Sequence, residues 1–246
     1  KLRPQCDDFQ EVMVEVLATV LSSPKFLYLV QAGEVDDKKE SQRISGFGLA
    51  SRLSFFLWSS IPDEQLLDLA AKGKLRDPVV LQAQTRRLLA DPKADRFARY
   101  FTRQWLGMEL LDFLKIDSKV YGRFDPLLME AMREEPVAFF GEVLRRNRTV
   151  MDFLQSDYTM VNDRLARHYG LPEVIGNNLR LVKLEASNRR GGVLTQAGLL
   201  AMNSDGKDSH PLKRGIWLLE NLLNDPPAPP PPAVPEIDLA DPEILK

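Results

Sequence analysis

Residues 77–106, DPVVLQAQTRRLLADPKADRFARYFTRQWL, decide the fold class. Two Asp-Pro pairs, Asp77-Pro78 and Asp91-Pro92, each stand ahead of an apolar run with helical spacing. An N-cap aspartate accepts hydrogen bonds from free backbone N–H groups, and a proline in the first turn already has helical φ. In the second run Phe97, Tyr100, Phe101, Trp105 and Leu106 are read as the buried side, with Arg96, Arg99 and Arg103 alongside. Downstream, Asp125-Pro126 repeats the device and opens the longest helix, to Arg146. Pro136 lies inside it and predicts a kink or a split, because proline removes a backbone donor.

The neighbouring segments read the same way. Residues 60–64, SIPDE, start a helix that Gly73 closes, and the run before it places Leu49, Leu53, Phe56 and Leu57 on one side. Near the N-terminus Asp7 and Asp8 open a helix with an apolar stripe of Phe9, Val12, Met13, Val16, Leu17, Val20 and Leu21. Ser23-Pro24 breaks it, and residues 34–45 are a polar linker or surface loop. Residues 157–170, DYTMVNDRLARHYG, read as a capped short helix, and LRLVKLE at 179–185 alternates as a strand does. The last helix starts near Ser209-His210-Pro211. After it, PPAPPPPAVP at 226–235 is an extended polyproline linker. The expected fold is mainly α: a multi-helix array with at most one short β-hairpin near residues 179–185.

Composition narrows the function classes. The 246 residues are 44% hydrophobic and 28% charged, with a net charge of −2, so no global field favours nucleic acid. No apolar run approaches the ~18 residues of a membrane span. The single cysteine, Cys6, excludes an internal disulfide and any CxxC motif. A start at Lys1 and a closing proline tract are read as a piece of a longer protein.

Chemistry-bearing residues concentrate in residues 189–223, RRGGVLTQAGLLAMNSDGKDSHPLKRGIWLLENLL. Arg189, Arg190, Lys213 and Arg214 form a candidate anion pocket with the Gly191-Gly192 backbone, since glycine permits close approach. The bland reading pairs them with Glu185, Asp205, Asp208 and Glu220. The loop NSDGKDSH offers Asn203, Asp205 and Asp208 as calcium ligands, but Ala201 and Leu212 stand where the EF-hand pattern needs acids, and the alternative is a polar turn capping the last helix with Ser209. His210, with Asp205 and Asp208, is the candidate catalytic group. Its place in a helix first turn tends to keep it neutral. His168 reads as a helix C-terminal residue. Carboxylate pairs such as Glu130 and Glu134 read as solvated surface, and no metal site is expected beyond the weak calcium set.

A family resemblance joins these segments. LSSPKFLYLV (21–30), residues 49–78, FTRQWLG (101–107), DYTMVNDRLARHYGLP (157–172), RRGGVLTQAGLLA (189–201) and residues 210–232 together resemble a planctomycete-type set of tandem domains of unknown function. Such domains occur in large exported proteins, often with a c-type cytochrome domain at one end. The resemblance implies residues 1–37 as the tail of a preceding helical domain, 42–172 as a central helical domain, 177–225 as a smaller C-terminal domain and 226–246 as a proline-rich linker. It also implies an exported, periplasmic or extracellular setting. The implied partners are neighbouring domains of the same polypeptide, a cytochrome c domain among them. It implies no cofactor within this chain, with c-type haem elsewhere in the parent, and it carries over no catalytic residue. Where family members often read Thr-Ser-Pro, this chain has Asp208-Ser209-His210-Pro211. The expected function is a helical scaffold or interaction module of a larger exported, cytochrome-associated protein. The alternative is part of an enzyme acting on an anionic or carbohydrate-like extracellular substrate through the 189–214 cluster.

Overall fold

Aspartate caps set four of the α-helix starts among the described residues. Asp8, Asp63, Asp77 and Asp125 each accept a backbone N–H one to three positions into a helix: Glu11 at 2.7 Å, Leu66 at 3.0 Å, Val79 at 2.8 Å and Leu128 at 2.8 Å. The computed structural model describes residues 8–28, 33–34, 43–117, 119–122, 124–172, 174–185 and 187–228. The linker expected over 226–246 lies outside the described residues from 229 onward, as does most of the loop expected over 34–45.

In chain order the elements are α1 (Phe9–Ser22), α2 (Pro24–Leu27), β1 (Gly33–Glu34), β2 (Arg43–Ile44), α3 (Gly46–Trp58), α4 (Glu64–Ala71), α5 (Pro78–Ala90) and α6 (Asp95–Trp105). There follow α7 (Leu110–Phe113), α8 (Pro126–Arg145), β3 (Tyr158–Val161), α9 (Asp163–Tyr169), β4 (Arg180–Lys183), α10 (Ala197–Met202) and α11 (Pro211–Asn221). The protein is mainly α. Compact packing divides it into two units, residues 1–97 and 98–246.

In the first unit Trp58 ends α3 and is 2% exposed, in a core with Ala50, Leu57, Leu66, Leu75 and Leu88. Its indole Nε1 donates to the Leu88 carbonyl at 2.9 Å. Arg87 clamps both oxygens of the α4 cap Asp63 at 2.6 and 3.1 Å, and that bond is the chief reason the Asp63 carboxyl lies below its usual range. Phe56, expected inside, is exposed, and Ala50 and Ser54 take the buried positions. On α6 the buried residues are likewise Ala98 and Thr102, while Tyr100 and Phe101 are exposed. Small side chains let a helix backbone pack closely, so the buried face need not be the most apolar one.

The second unit is built around α8, eleven of whose twenty residues are buried. Pro136 neither splits nor ends it. Proline lacks the N–H that would reach the carbonyl four residues back, here that of Met132. Gly198 of α10 packs against this carbonyl so closely that a Cβ there would lie 2.5 Å from the oxygen.

Antiparallel β3 and β4 pair in register, Tyr158 with Lys183 and Val161 with Arg180. Residues 180–183 are thus a strand as expected. Their partner, however, is the first part of the segment read as one helix from 157 to 170. All four β3 residues are buried, so no alternation marks them as a strand. The helix proper starts after the cap Asn162, whose Oδ1 accepts the Leu165 amide at 3.1 Å. A second pair joins β1 and β2.

The main core of this unit draws on both ends of its sequence. Leu106, Met108, Phe139 and Tyr158 pack with Val193, Leu199, Met202 and Trp217. Trp217 donates to the Leu106 carbonyl at 2.9 Å, and Trp105 donates to the Asn221 carbonyl at 2.8 Å.

Because Gly198 abuts the Met132 carbonyl, Gly198→Ala forces α10 away from α8. The expected loss is about 1–3 kcal/mol, as for other overpacked sites, read as a lower urea midpoint with unchanged m-value.

Candidate functional site

The twin glycines of RRGG do approach backbone closely, but the backbone is the protein's own. Gly191 and Gly192 have φ of +136° and +74°, and Cβ atoms there would lie 2.1 Å from the Ser156 carbonyl oxygen and 2.6 Å from that of Leu154. Their amides donate to Thr195 Oγ1 at 2.9 Å and Ser156 Oγ at 3.0 Å. The motif is therefore a docking turn, and its N–H groups are already used.

The loop 203–210 is similarly self-bonded. Asp205 accepts the Asp208 amide at 2.6 Å, the Lys207 amide at 2.8 Å and a contact with His210 Nε2 at 3.1 Å. These bonds, the Asp208 amide foremost, hold its carboxyl far below the usual carboxylate range. Gly206 sits where a Cβ would be 1.9 Å from the Lys115 carbonyl oxygen, and its own carbonyl accepts the Asp117 amide at 3.0 Å. Tyr121 OH donates to the Lys207 carbonyl at 2.7 Å. The loop is thus clamped onto Lys115, Asp117 and Tyr121. Asn203 is buried and its amide nitrogen donates to the Leu199 carbonyl, so it faces the helix and not the other two calcium candidates. Helix α11 is capped at His210 and not at Ser209, with no side-chain capping bond.

Between this loop, α8 and the segment carrying Ile116, Val120, Tyr121, Gly122 and Phe124 lies a cavity of about 650 Å³. Ile116, Val120, Phe124, Leu128, Met132 and Leu200 supply its apolar wall; Arg190, Arg214, Lys207, Asp208, Ser209 and His168 supply its polar side. Of the four expected anion-binding residues the structure brings two, Arg190 and Arg214, to this cavity. Arg189 and Lys213 are exposed and do not line it. Asp208 lines it; Asp205 and His210 do not. His168 stands in the last turn of α9, as read, and the surrounding protein, then Arg190, lower its pKa.

Behind Arg190 is a group that the sequence reading passed over. The Arg190 guanidinium lies 3.9 Å from the Tyr169 ring centroid. Tyr169 OH donates to Glu135 Oε2 at 2.5 Å and accepts the Ala197 amide at 2.7 Å. Thr159 Oγ1 donates to Glu135 Oε1 at 2.9 Å. Glu135 is 0% exposed, and burial pushes its carboxyl up to about 7 against the lowering bonds from Tyr169 and Thr159. Its neighbour Glu134 pairs with Arg99 at the surface. The one signal in the sequence was position: an acid flanked by Pro136 and Val137 on the apolar side of α8.

Residues 44–171 match PSD4, a protein family of unknown function (DUF1592), which is more than half of the chain. The chain belongs to this family. Residues 190–244 match a second family of unknown function, PSCyt3 (DUF1588). The two follow each other as in the planctomycete, cytochrome-associated tandem that the sequence resembles. No curated protein and no solved structure matches the chain. Among the described residues, no group of three or more His, Cys, Asp or Glu is placed to hold a metal ion, and no helix is long and apolar enough to cross a membrane. The residues present do not fit a c-type haem either. Its attachment motif takes two cysteines, and the sequence has one.

The raised pKa of Glu135 has a definite sign in stability. A glutamate of the unfolded chain titrates near 4.5, so between that pH and about 7 the folded chain keeps a proton that the unfolded chain has lost. Stability therefore falls as pH rises through this window and levels off above it. Relative to wild type, Glu135→Gln removes a decline on the order of 3 kcal/mol, measured by urea unfolding at intervals across the window.

Proposed function

We propose that the chain is a non-catalytic helical interaction module of a larger exported protein, docked through its first helix onto a neighbouring domain of the same polypeptide, a cytochrome c domain in the first instance. The observation that carries this reading is α1. Its 14 residues include none that is buried, and Phe9, Met13, Val16, Leu17, Val20 and Leu21 are all exposed. An isolated helix of this length is marginal in water, and helices gain most of their stability from packing an apolar face. The stripe lies outside both family matches. It suits the tail of a preceding domain, as residues 1–37 were read, with 42–172 and 177–225 following.

The enzyme alternative has one observation in its favour, the convergence of Arg190, Asp208 and Arg214 on one cavity. Against it, the only His–carboxylate contact among the described residues, His210 with Asp205, stands off the cavity lining and bonds no hydroxyl or thiol. The amides of Gly191 and Gly192 and the carboxylate of Asp205 serve the chain's own turns.

The test is a calorimetric titration of the full chain with the cytochrome c domain and the other neighbouring domains of its polypeptide, made separately. The module reading expects binding in the micromolar range or tighter, weakened at least tenfold, about 1.4 kcal/mol, by Leu17→Glu with Val20→Glu. Because those positions are exposed, the variant keeps its melting temperature. Binding to none of these domains at about 100 µM, or binding that the double variant leaves unchanged, sinks the reading.

A further inference from the structure

We infer that the cavity lined by Ile116, Val120–Gly122 and Phe124, by α8 and by the 203–210 loop is a binding site for an amphipathic organic carboxylate, whose head group is held by Arg190 and Arg214 and whose alkyl or aryl body lies on the apolar lining. Its volume of about 650 Å³ lies in the range of small-molecule sites, which are mostly apolar with a few fixed polar groups.

The pairing of the arginines argues for an anion. In the same unit Arg99, Arg103, Arg133, Arg148, Arg164 and Arg167 each meet a carboxylate. Arg190 and Arg214, the two that line the cavity, form no ion pair among the described residues, as Arg180 and Arg189 at the surface do not, although the Arg190 charge is felt by the buried Glu135. Each is nevertheless held in place by one bond to an uncharged group. Arg190 Nη1 donates to the Thr195 carbonyl at 3.0 Å while its plane rests on Tyr169, and Arg214 Nη2 donates to Ser209 Oγ at 2.9 Å. A guanidinium has five N–H donors, so most donors of both remain for a ligand. Arginine suits this role because its planar fork matches a carboxylate bidentately.

The rest of the lining selects among anions. Arg190, Lys207 and Arg214 face a single carboxylate of the lining, Asp208, and Glu135, which feels the Arg190 charge, lies buried behind it and off the lining. The wall formed by Ile116, Val120, Phe124, Leu128 and Met132 offers a sugar or an inorganic ion nothing to bond. It offers an alkyl chain burial at about 25 cal/mol per Å². A head group alone, or an apolar body alone, uses half of the site.

The experiment is ligand-observed NMR and calorimetry on the full chain with octanoate, 1-octanol and acetate. Octanoate binds saturably at one site, at least tenfold tighter than either octanol or acetate. Arg214→Gln, whose side chain makes a single bond to Ser209, keeps the fold and weakens octanoate at least tenfold; Arg214→Lys recovers part of the loss. Arg190→Gln weakens it too. Equal affinity for octanol and octanoate, no saturable octanoate binding, or octanoate binding unchanged in both glutamine variants overturns the assignment.

Discussion

Two indole hydrogen bonds, Trp105 to Asn221 and Trp217 to Leu106, run in opposite directions between the end of α6 and α11. Each buries a large ring whose N–H needs an acceptor, and each finds it on the other segment. They fasten the segment matched by the second family onto the core of the first. Val193, Leu199, Met202 and Trp217 then complete a surface that Leu106, Phe139 and Tyr158 begin. The same segment lays α10 on α8, rests Arg190 on Tyr169 and supplies most of the polar residues of the cavity. The boundary between family matches, 171 to 190, is therefore not a boundary of packing in this unit.

Local chemistry was the legible part of the sequence. Asp77 and Asp125 cap helices where they were read to do so, and Asp91 caps a short 3-10 turn ahead of α6, because a cap depends only on residues within one turn. Features set by distant segments were not legible. Strand β3 is buried on both faces and shows no alternation, so its residues joined the following helix in the reading. Pro136 was expected to kink or split α8; the helix runs unbroken through it, and Gly198 packs against the freed Met132 carbonyl.

The candidate site shows the same division. Glycines that a sequence reading assigns to an anion, Gly191 and Gly192, instead meet Ser156 and Leu154, because close approach to a phosphate and to a backbone carbonyl make the same demand on Cα. Arg190 and Arg214 were selected on composition and do converge, whereas their neighbours Arg189 and Lys213 point elsewhere; one position along a turn changes the face. Glu135 was hidden by its resemblance to surface pairs. Nothing in its own side chain says that Thr159 and Tyr169 will arrive from later segments to bond it.

Asp205, off the cavity lining, adds a chemical property to the loop that reaches the cavity. Its carboxylate is held far below the ordinary range by the amides of Asp208 and Lys207 and by His210. A carboxylate depressed in this way contributes its bonds above its unfolded pKa and gives them up only as acidity reaches the folded one. The shape of the loop that carries Lys207, Asp208 and Ser209 to the cavity thus rests on one ionised carboxylate, which its own backbone amides keep charged.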